Sequence, residues 1–294
     1  MIHVKSSHVD TCNSAALATS GFAMLQNVKD VLIGRHSGSE PTKEAGATAF
    51  GMSFALRAGA HATIESASLS LRLHSIWTTD HAADLVATES RSLQALAKAA
   101  AKAGIECIAH TPDRDFDAFL GSFVVQARLH DVTILDAEPR ALANGRRLIE
   151  GSLTQSGRPL IVVPPGYTEF ANKNILVAWD GSAAAARAVN DALPLLRTAA
   201  NVHVVSVTGE KILPALATQA GLISHLGCHG IWAVERRLAV RNGDVAQTLR
   251  DAARDQTDLI IMGGIAHGRV RDLILGGVTQ SLLSDSPIPL FMSH

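Results

Sequence analysis

The sequence predicts an α/β fold built as two tandem doubly wound domains. Three observations carry that prediction. Strand-like and helix-like segments alternate along all 294 residues, the pattern of a parallel sheet covered on both faces. The order of those segments occurs twice. The hydrophobic fraction is 47% but aromatic residues make up only 4%, so the core is aliphatic. Such a core suits a sheet held between helices better than a surface for stacking sugars or RNA. The formal net charge of −1 gives no bulk attraction to nucleic acid or to an anionic membrane. Cys12, Cys107 and Cys228 are too few and too scattered for a disulfide framework, and no apolar run is long enough for a membrane helix. These features together read as a reduced, cytoplasmic protein.

The repeat sets the domain boundaries. "EGSLTQSGRPLIVVPP" (Glu150–Pro165) parallels "LGGVTQSLLSDSPIPLFMSH" (Leu275–His294), each running from glycine through Thr-Gln-Ser to proline and an apolar strand. "ARLHDVTILD" parallels "RDQTDLIIMG", and "KDVLIGRHSGS" parallels "KNILVAWDGS". Self-similarity at this scale places one domain at 27–165 and a second at 173–294, joined by the linker-like "PPGYTEFANK". Residues 1–26 read as a loose extension or an extra helix, with Met24 as an alternative first residue; mass spectrometry of the native N-terminus separates these.

Within the second half, Ile175–Ala178 is a short buried strand ending in the turn Asp180-Gly181-Ser182. One helix is expected from Ala183 to Thr198, with Val189, Leu193 and Leu196 on its buried face and Arg187, Asp191 and Arg197 in solvent. Val202–Val207 is a second strand, followed by a helix near Ile212–Leu226 and a strand at Ile231–Val240. Asn242-Gly243-Asp244 opens a helix containing Val245 and Leu249. Leu259–Met262 and Pro289–Met292 are the fourth and fifth strands.

The stretch "LIIMGGIAHGRVRDLILGGVTQS" between those last two strands carries the chemistry. A segment at the carboxyl end of a parallel strand, leading into a helix, presents free backbone N–H groups, and with the helix dipole these favour an anion such as a phosphate. Gly263 and Gly264 let the chain leave the strand sharply, and Gly276-Gly277 lets a phosphate approach the helix start. His267, Arg269 and Arg271 can add charge-assisted hydrogen bonds. The competing reading is a tight strand-to-helix connection with solvated basic residues, because spaced glycines alone are a weak signal.

On "ILVAWDGS", "VRNGDVAQTLRDAARDQTDLIIMGG" and "GGVTQSLLSDSPIPLFM", the chain resembles the universal stress protein family, closely from Lys173 to His294 and more loosely from about Val28 to Pro165. The resemblance implies an adenine nucleotide alpha hydrolase-like fold with a five-stranded parallel sheet per domain. It also implies a site for ATP, ADP or AMP, with or without magnesium. The family's glycine positions fall on Gly263, Ala266 and Gly276, and its Ser/Thr position on Gly277; two of the four match. Ala266 adds a methyl group and Gly277 lacks a hydroxyl. An alanine forced to positive φ costs about 1 kcal/mol or more, so Ala266 requires a negative φ. By the same resemblance Asp180 faces the ribose or adenine, the Val207 backbone meets adenine and Val278 follows the phosphate-binding glycines. From the residues alone Asp180 is equally a turn residue and Val207 plain core.

The first half departs from this pattern. Gly151-Ser152 aligns with Gly276-Gly277, but counting back from Gly151 meets Glu138 rather than a glycine. Asp136 and Glu138 put negative charge where phosphates would sit, and like charges 4 Å apart repel by roughly 4 kcal/mol at an effective dielectric of about 20. Arg35 or His36 takes the place of Asp180. The expectation is a degenerate first domain that completes an internal pseudo-dimer, with Arg146 and Arg147 as candidates for some other anion; a homodimer of whole chains is a further option.

"HLGCHG" offers His225, Cys228 and His229 as ligand types but reads as a helix terminus, and no structural metal is expected. His74, His81, His110 and His130 read as surface or capping residues. Neither a Gly-x-Ser-x-Gly elbow nor a Walker loop is present, and no general base faces a nucleophile, so no catalytic residue is assigned. The functional expectation is a nucleotide-binding stress-response regulator, at most a slow ATPase or autophosphorylating protein. A structural or protein-interaction module with both sites empty is the main alternative, and a nucleotidyl transferase would need catalytic residues near Asp180 that the sequence does not supply.

Overall fold

The computed structural model describes residues 25, 27–36, 46–67, 79–110, 116–209, 218–254, 256–264, 266–267 and 274–294. In the first half the order is β1 (Asp30–His36), α1 (Gly46–Ala58), β2 (His61–Ala67), α2 (Thr79–Lys102), β3 (Cys107–His110), α3 (Phe116–Ala127), β4 (Val132–Asp136), α4 (Asn144–Gln155) and β5 (Leu160–Val163). The second half continues with β6 (Asn174–Ala178), α5 (Ala183–Asp191), α6 (Leu193–Leu196), β7 (Asn201–Thr208), α7 (Gln219–Cys228) and β8 (Ala233–Ala239). It closes with α8 (Val245–Ala253), β9 (Leu259–Gly263), β10 (Ala266–His267), β11 (Ile274–Leu275), α9 (Gly277–Ser284) and β12 (Leu290–Ser293).

One ten-stranded sheet runs β3-β2-β1-β4-β5-β12-β9-β6-β7-β8. Each half contributes five parallel strands in the same order, and the halves meet where β12 pairs antiparallel with β5, Leu290 opposite Val162 and Met292 opposite Leu160. The inner strands β4, β5, β9 and β12 are short, apolar on both faces and covered by helices on each side, as a parallel sheet requires. Two aliphatic clusters, one on each face of the sheet, both include residues from each half. No helix among the described residues is long and apolar enough to cross a membrane.

The halves share a register device. Asp131, just before β4, accepts from the backbone N–H of Asp30 at 3.1 Å; Asp258, just before β9, accepts from that of Asn174 at 2.8 Å. Each aspartate thus pins the fourth strand of its half to the first, central one.

Three expectations need correction. The helix of 183–198 is two: Ala192 closes α5, Pro194 occupies the first turn of α6, and the chain turns between them. Asp191 is not in solvent, because its carboxylate accepts from Ser293 Oγ at 2.9 Å. The segment expected to link the halves is docked onto both. Phe170 is buried edge-on against Phe50 and Phe54 of α1, Tyr167 Oη donates to the Pro287 carbonyl at 3.0 Å, and Asn172 is buried with Nδ2 2.7 Å from Thr198 Oγ1. The helix expected near Ile212 is described only from Gln219. Residues 1–24 lie outside the described residues, while Leu25 and Val28 are buried in the core beside β1.

Candidate functional site

The site is built at the carboxyl ends of β6, β7 and β9, where the strand order reverses and two connections diverge to opposite faces of the sheet. β6 is held there by the Trp179 N–H donating to Val205 O at 2.8 Å. The chain then turns at Gly181 with φ of +71°, a left-handed conformation that glycine adopts without strain. Asp180 is exposed at this turn, its Oδ1 accepting from the Ser182 N–H at 3.0 Å. Ser182 in turn caps α5 by accepting from the Ala185 N–H at 3.1 Å. The Asp180 carboxylate therefore serves the turn from an exposed position at this end of the sheet.

Gly263 ends β9 directly beneath that capped helix start. A Cβ at 263 would lie 2.5 Å from Ala185 N and 2.7 Å from Ala184 C, so the glycine is required by helix–strand packing. Gly264 is tight for a different reason: a Cβ there would lie 2.6 Å from Leu153 Cδ2, a side chain from α4 of the first half. The expected role of this pair is a sharp exit from the strand. Close approach explains them better, since neither has positive φ.

Beyond β9 the chain makes a small antiparallel ladder, Ala266 opposite Leu275 and His267 opposite Ile274. Extended, paired backbone places no left-handed demand on Ala266, which removes the objection to an alanine there. Arg269 and Arg271 lie outside the described residues.

α9 opens on Gly276, with φ −59° and ψ 152°, and no side chain caps it. By contrast α5, α7 and α8 each start on a side chain that accepts from its own first turn: Ser182, Thr218 and Asp244. The first intrahelical bond of α9 is from Gln280 N–H to Gly276 O, leaving the N–H groups of Gly277, Val278 and Thr279 without an acceptor among the described residues. Gly277 is exposed, and a Cβ there would meet nothing within 4 Å. This combination of bare amides, a positive helix end and open space fits a polyphosphate. Val278 and Val207 pack against the same aliphatic cluster behind the site, Val207 in register with Leu238 of β8. The structure thus brings Asp180, Val207, Gly263, Ala266, His267, Gly276, Gly277 and Val278 to one end of the second half's sheet.

The first half has the same frame, filled by its own carboxylates. Strand register sets Gly34 beside Leu135 as it sets Ala178 beside Met262, so Asp136 occupies the place of Gly263. Its Oδ1 accepts from the Ala47 N–H of α1 at 2.7 Å, at the start of the helix that corresponds to α5. Glu138 lies against the first turn of α4, its carboxylate held by Arg140 at 2.9 Å to both Nε and Nη2 and packed over Gly145. One helix start facing this crevice thus already has an anion bonded to its amide, and a second carboxylate, paired with Arg140, lies against the first turn of the other, which no side chain caps. The expected pairing of Gly151-Ser152 with Gly276-Gly277 does not hold: Gly151 and Ser152 lie inside α4, and Thr154-Gln155 end that helix whereas Thr279-Gln280 begin α9. His36 stands at the strand position of Asp180.

Burial pushes the Asp136 carboxyl above its ordinary value, more than the Ala47 amide and the nearby Arg35 guanidinium pull it down. The native state then keeps a proton that the unfolded chain releases earlier. Stability is lost as pH rises from the ordinary carboxyl range through the raised value. Asp136→Asn keeps the acceptor for Ala47 and removes the charge. Its melting temperature relative to wild type is expected to rise across that interval, and a pH-independent difference would contradict this.

Elsewhere, α7 ends at Cys228; the His225 and His229 rings pack edge-to-face at 4.8 Å, and His229 Nδ1 lies 3.2 Å from Arg197 Nη2. This is the helix terminus expected, and no metal-ligating cluster is present among the described residues. His110 pairs with the buried Glu65 at 2.8 Å. His130 is buried rather than at the surface, and it caps α3 with Nδ1 2.8 Å from Gln126 O. The His74 and His81 side chains lie outside the described residues.

The fold and this end of the sheet define a doubly wound α/β protein carrying two copies of one five-stranded unit. Residues 171–294 match the model of the universal stress protein family. Among solved structures, a universal stress protein from Archaeoglobus fulgidus DSM 4304 superposes over 89% of this chain and 95% of its own, with TM-score 0.68 at 15% identity. A candidate universal stress protein from Pseudomonas aeruginosa UCBPP-PA14 covers 92% and 94% with TM-score 0.57 at 12% identity. A functionally unknown protein from Pseudomonas aeruginosa PAO1 covers 92% and 93% with TM-score 0.54 at 12% identity. These likenesses extend the shared fold to the whole chain. A search of curated protein sequences returns no match.

Proposed function

We propose that the chain is a cytoplasmic regulatory protein of the stress response that binds one adenine nucleotide, ATP, ADP or AMP, in its second domain. The first domain acts as its structural partner. The observation that carries this reading is the contrast between the two helix starts. α9 offers uncapped amides over open space, while the matching crevice of the first half is occupied by Asp136 and Glu138. In this reading Gly276, Gly277 and Val278 hold phosphate through backbone N–H groups, Asp180 meets the ribose and the backbone at Val207 meets adenine. His267 and Arg269 supply positive charge from the loop, with magnesium as an optional companion of the phosphates. No residue is assigned to bond cleavage, so binding rather than turnover is the function.

Calorimetric titration with ATP and AMP, with and without magnesium, tests this. The expected result is one site per chain, weakened about tenfold or more by Gly276→Val and by Asp180→Ala, a loss of about 1.4 kcal/mol each. Gly277→Ser adds a hydroxyl in open space at the first turn and is expected to tighten binding. Two sites per chain would overturn the asymmetry. No heat and no thermal shift at millimolar nucleotide would favour a protein-interaction module.

A further inference from the structure

The sheet ends on two open edges of unequal kind. β3 at one end is four residues long; β8 at the other has seven and, among the described residues, pairs only with β7. An edge strand of that length presents a row of unpaired backbone donors and acceptors. Beside three charged side chains, Glu235, Arg236 and Arg237, it carries exposed apolar ones that a solvated edge normally lacks. Trp232, just before β8, is 92% exposed and Val234 is 59% exposed. Register with β7 sets Ala233 opposite Val202 and Glu235 opposite Val204, on the α7 face. Arg237 follows on that face, bonded to Glu235 and 3.3 Å from Gln219 Oε1. Trp232, Val234, Arg236 and Leu238 point to the other face, where Leu238 reaches the core but Val234 is uncovered.

The charge order along this edge is self-complementary. In an antiparallel pair of two β8 strands with Arg236 on the two-fold axis, Glu235 of each copy faces Arg237 of the other. Val234 then faces Leu238, Trp232 faces Val240 and Ala233 faces Ala239. Shifting the axis to Glu235 opposes the two glutamates and sets Ala233 against Arg237. Shifting it to Arg237 opposes those arginines and sets Glu235 against Ala239. Only the Arg236-centred register matches opposite charges and apolar with apolar, at the expense of two Arg236 side chains meeting on the solvated face. We infer that β8 is the docking edge for a second copy of this chain, joined antiparallel about Arg236 into a sheet continuous across the dimer. The contact is small, so the dimer is a weak one.

Sedimentation of the full chain between about 1 and 100 μM tests this. Wild type is expected to show concentration-dependent dimerisation, weakened at least tenfold by Val234→Lys with an unchanged melting temperature. Arg236→Thr, which removes the one opposed pair of like charges, is expected to tighten it. The discriminating variants are Glu235→Arg and Arg237→Glu. Each alone is expected to abolish self-association, and an equimolar mixture of the two is expected to recover a heterodimer. In that mixture positions 235 and 237 are both basic in one copy and both acidic in the other, so every facing pair is again of opposite charge. Their intrachain pair is broken in both variants, so recovery reports only the intermolecular register. A monomer at every concentration, or a dimer that survives both single reversals, overturns the proposal.

Discussion

Gly263→Ala is expected to lower stability by about 1–3 kcal/mol, whereas Gly277→Ala stays within about 0.5 kcal/mol of wild type. The difference follows from what each added methyl meets. At 263 it falls 2.5 Å from Ala185 N, 2.7 Å from Ala184 C and 2.9 Å from Ala184 Cβ. Two of these are backbone atoms of a helix start that cannot swing aside as a side-chain tip does. That start is fixed further by the Ser182 cap, and α5 is tied to β12 through Asp191 and Ser293. Alanine normally stabilises a chain relative to glycine by about 0.4–1 kcal/mol through the unfolded state, and the overlap outweighs this. At 277 the methyl enters open space at the first turn of a helix. Gly264→Ala is expected to fall between them, since its obstacle is the movable end of Leu153. Urea denaturation of the three variants ranks them; a Gly263→Ala protein as stable as wild type would mean that α5 does not rest on β9 as described.

This tight contact also shows what the sequence could disclose. Two glycines after an apolar strand marked the right place, but nothing local told close packing apart from a sharp turn, because that depends on where α5 lands. The repeat was legible where it coincides with a hydrogen-bonding device. "HDVTILD" and "TDLIIMG" each carry the aspartate that pins strand register, Asp131 and Asp258. It misled where only three letters recur. Thr-Gln-Ser closes α4 before a turn at Gly157, φ +70°, but opens α9, whose Leu282 and Leu283 continue into the core. Identical side chains sit a full helix apart because helix length is set by what the following residues bury. The acidic pair Asp136 and Glu138 was visible as misplaced charge. That Asp136 bonds the start of α1 while Glu138 pairs with Arg140 beside the first turn of α4 needed coordinates. The docking of Phe170 against α1 lay hidden as well, since an aromatic residue in a polar stretch has no period to read.

Phe291→Ala is expected to have the largest effect, about 3–5 kcal/mol, and to loosen both halves together. Phe291 lies on β12 opposite Ile161 of β5 on one side and Ile261 of β9 on the other, 2% exposed. The seam between the halves is only three residue pairs long, so its backbone bonds alone cannot couple two domains strongly. The coupling comes from the side chains: Ile161 and Val163 of the first half, Ile261 and Phe291 of the second, and Phe170 from the connection belong to one continuous cluster. Removing the ring leaves a cavity at the middle of that cluster, bounded by strands that cannot collapse without breaking register. Hydrogen exchange read at β1 and β6 distinguishes the consequences. Equal acceleration at Val31–Ile33 and Ile175–Val177 is the expected result. Loss of protection at β6 alone would mean that the halves unfold independently. The Leu153–Gly264 contact would then give the first half little hold on the end of β9, and its structural role would have to come from elsewhere on its surface.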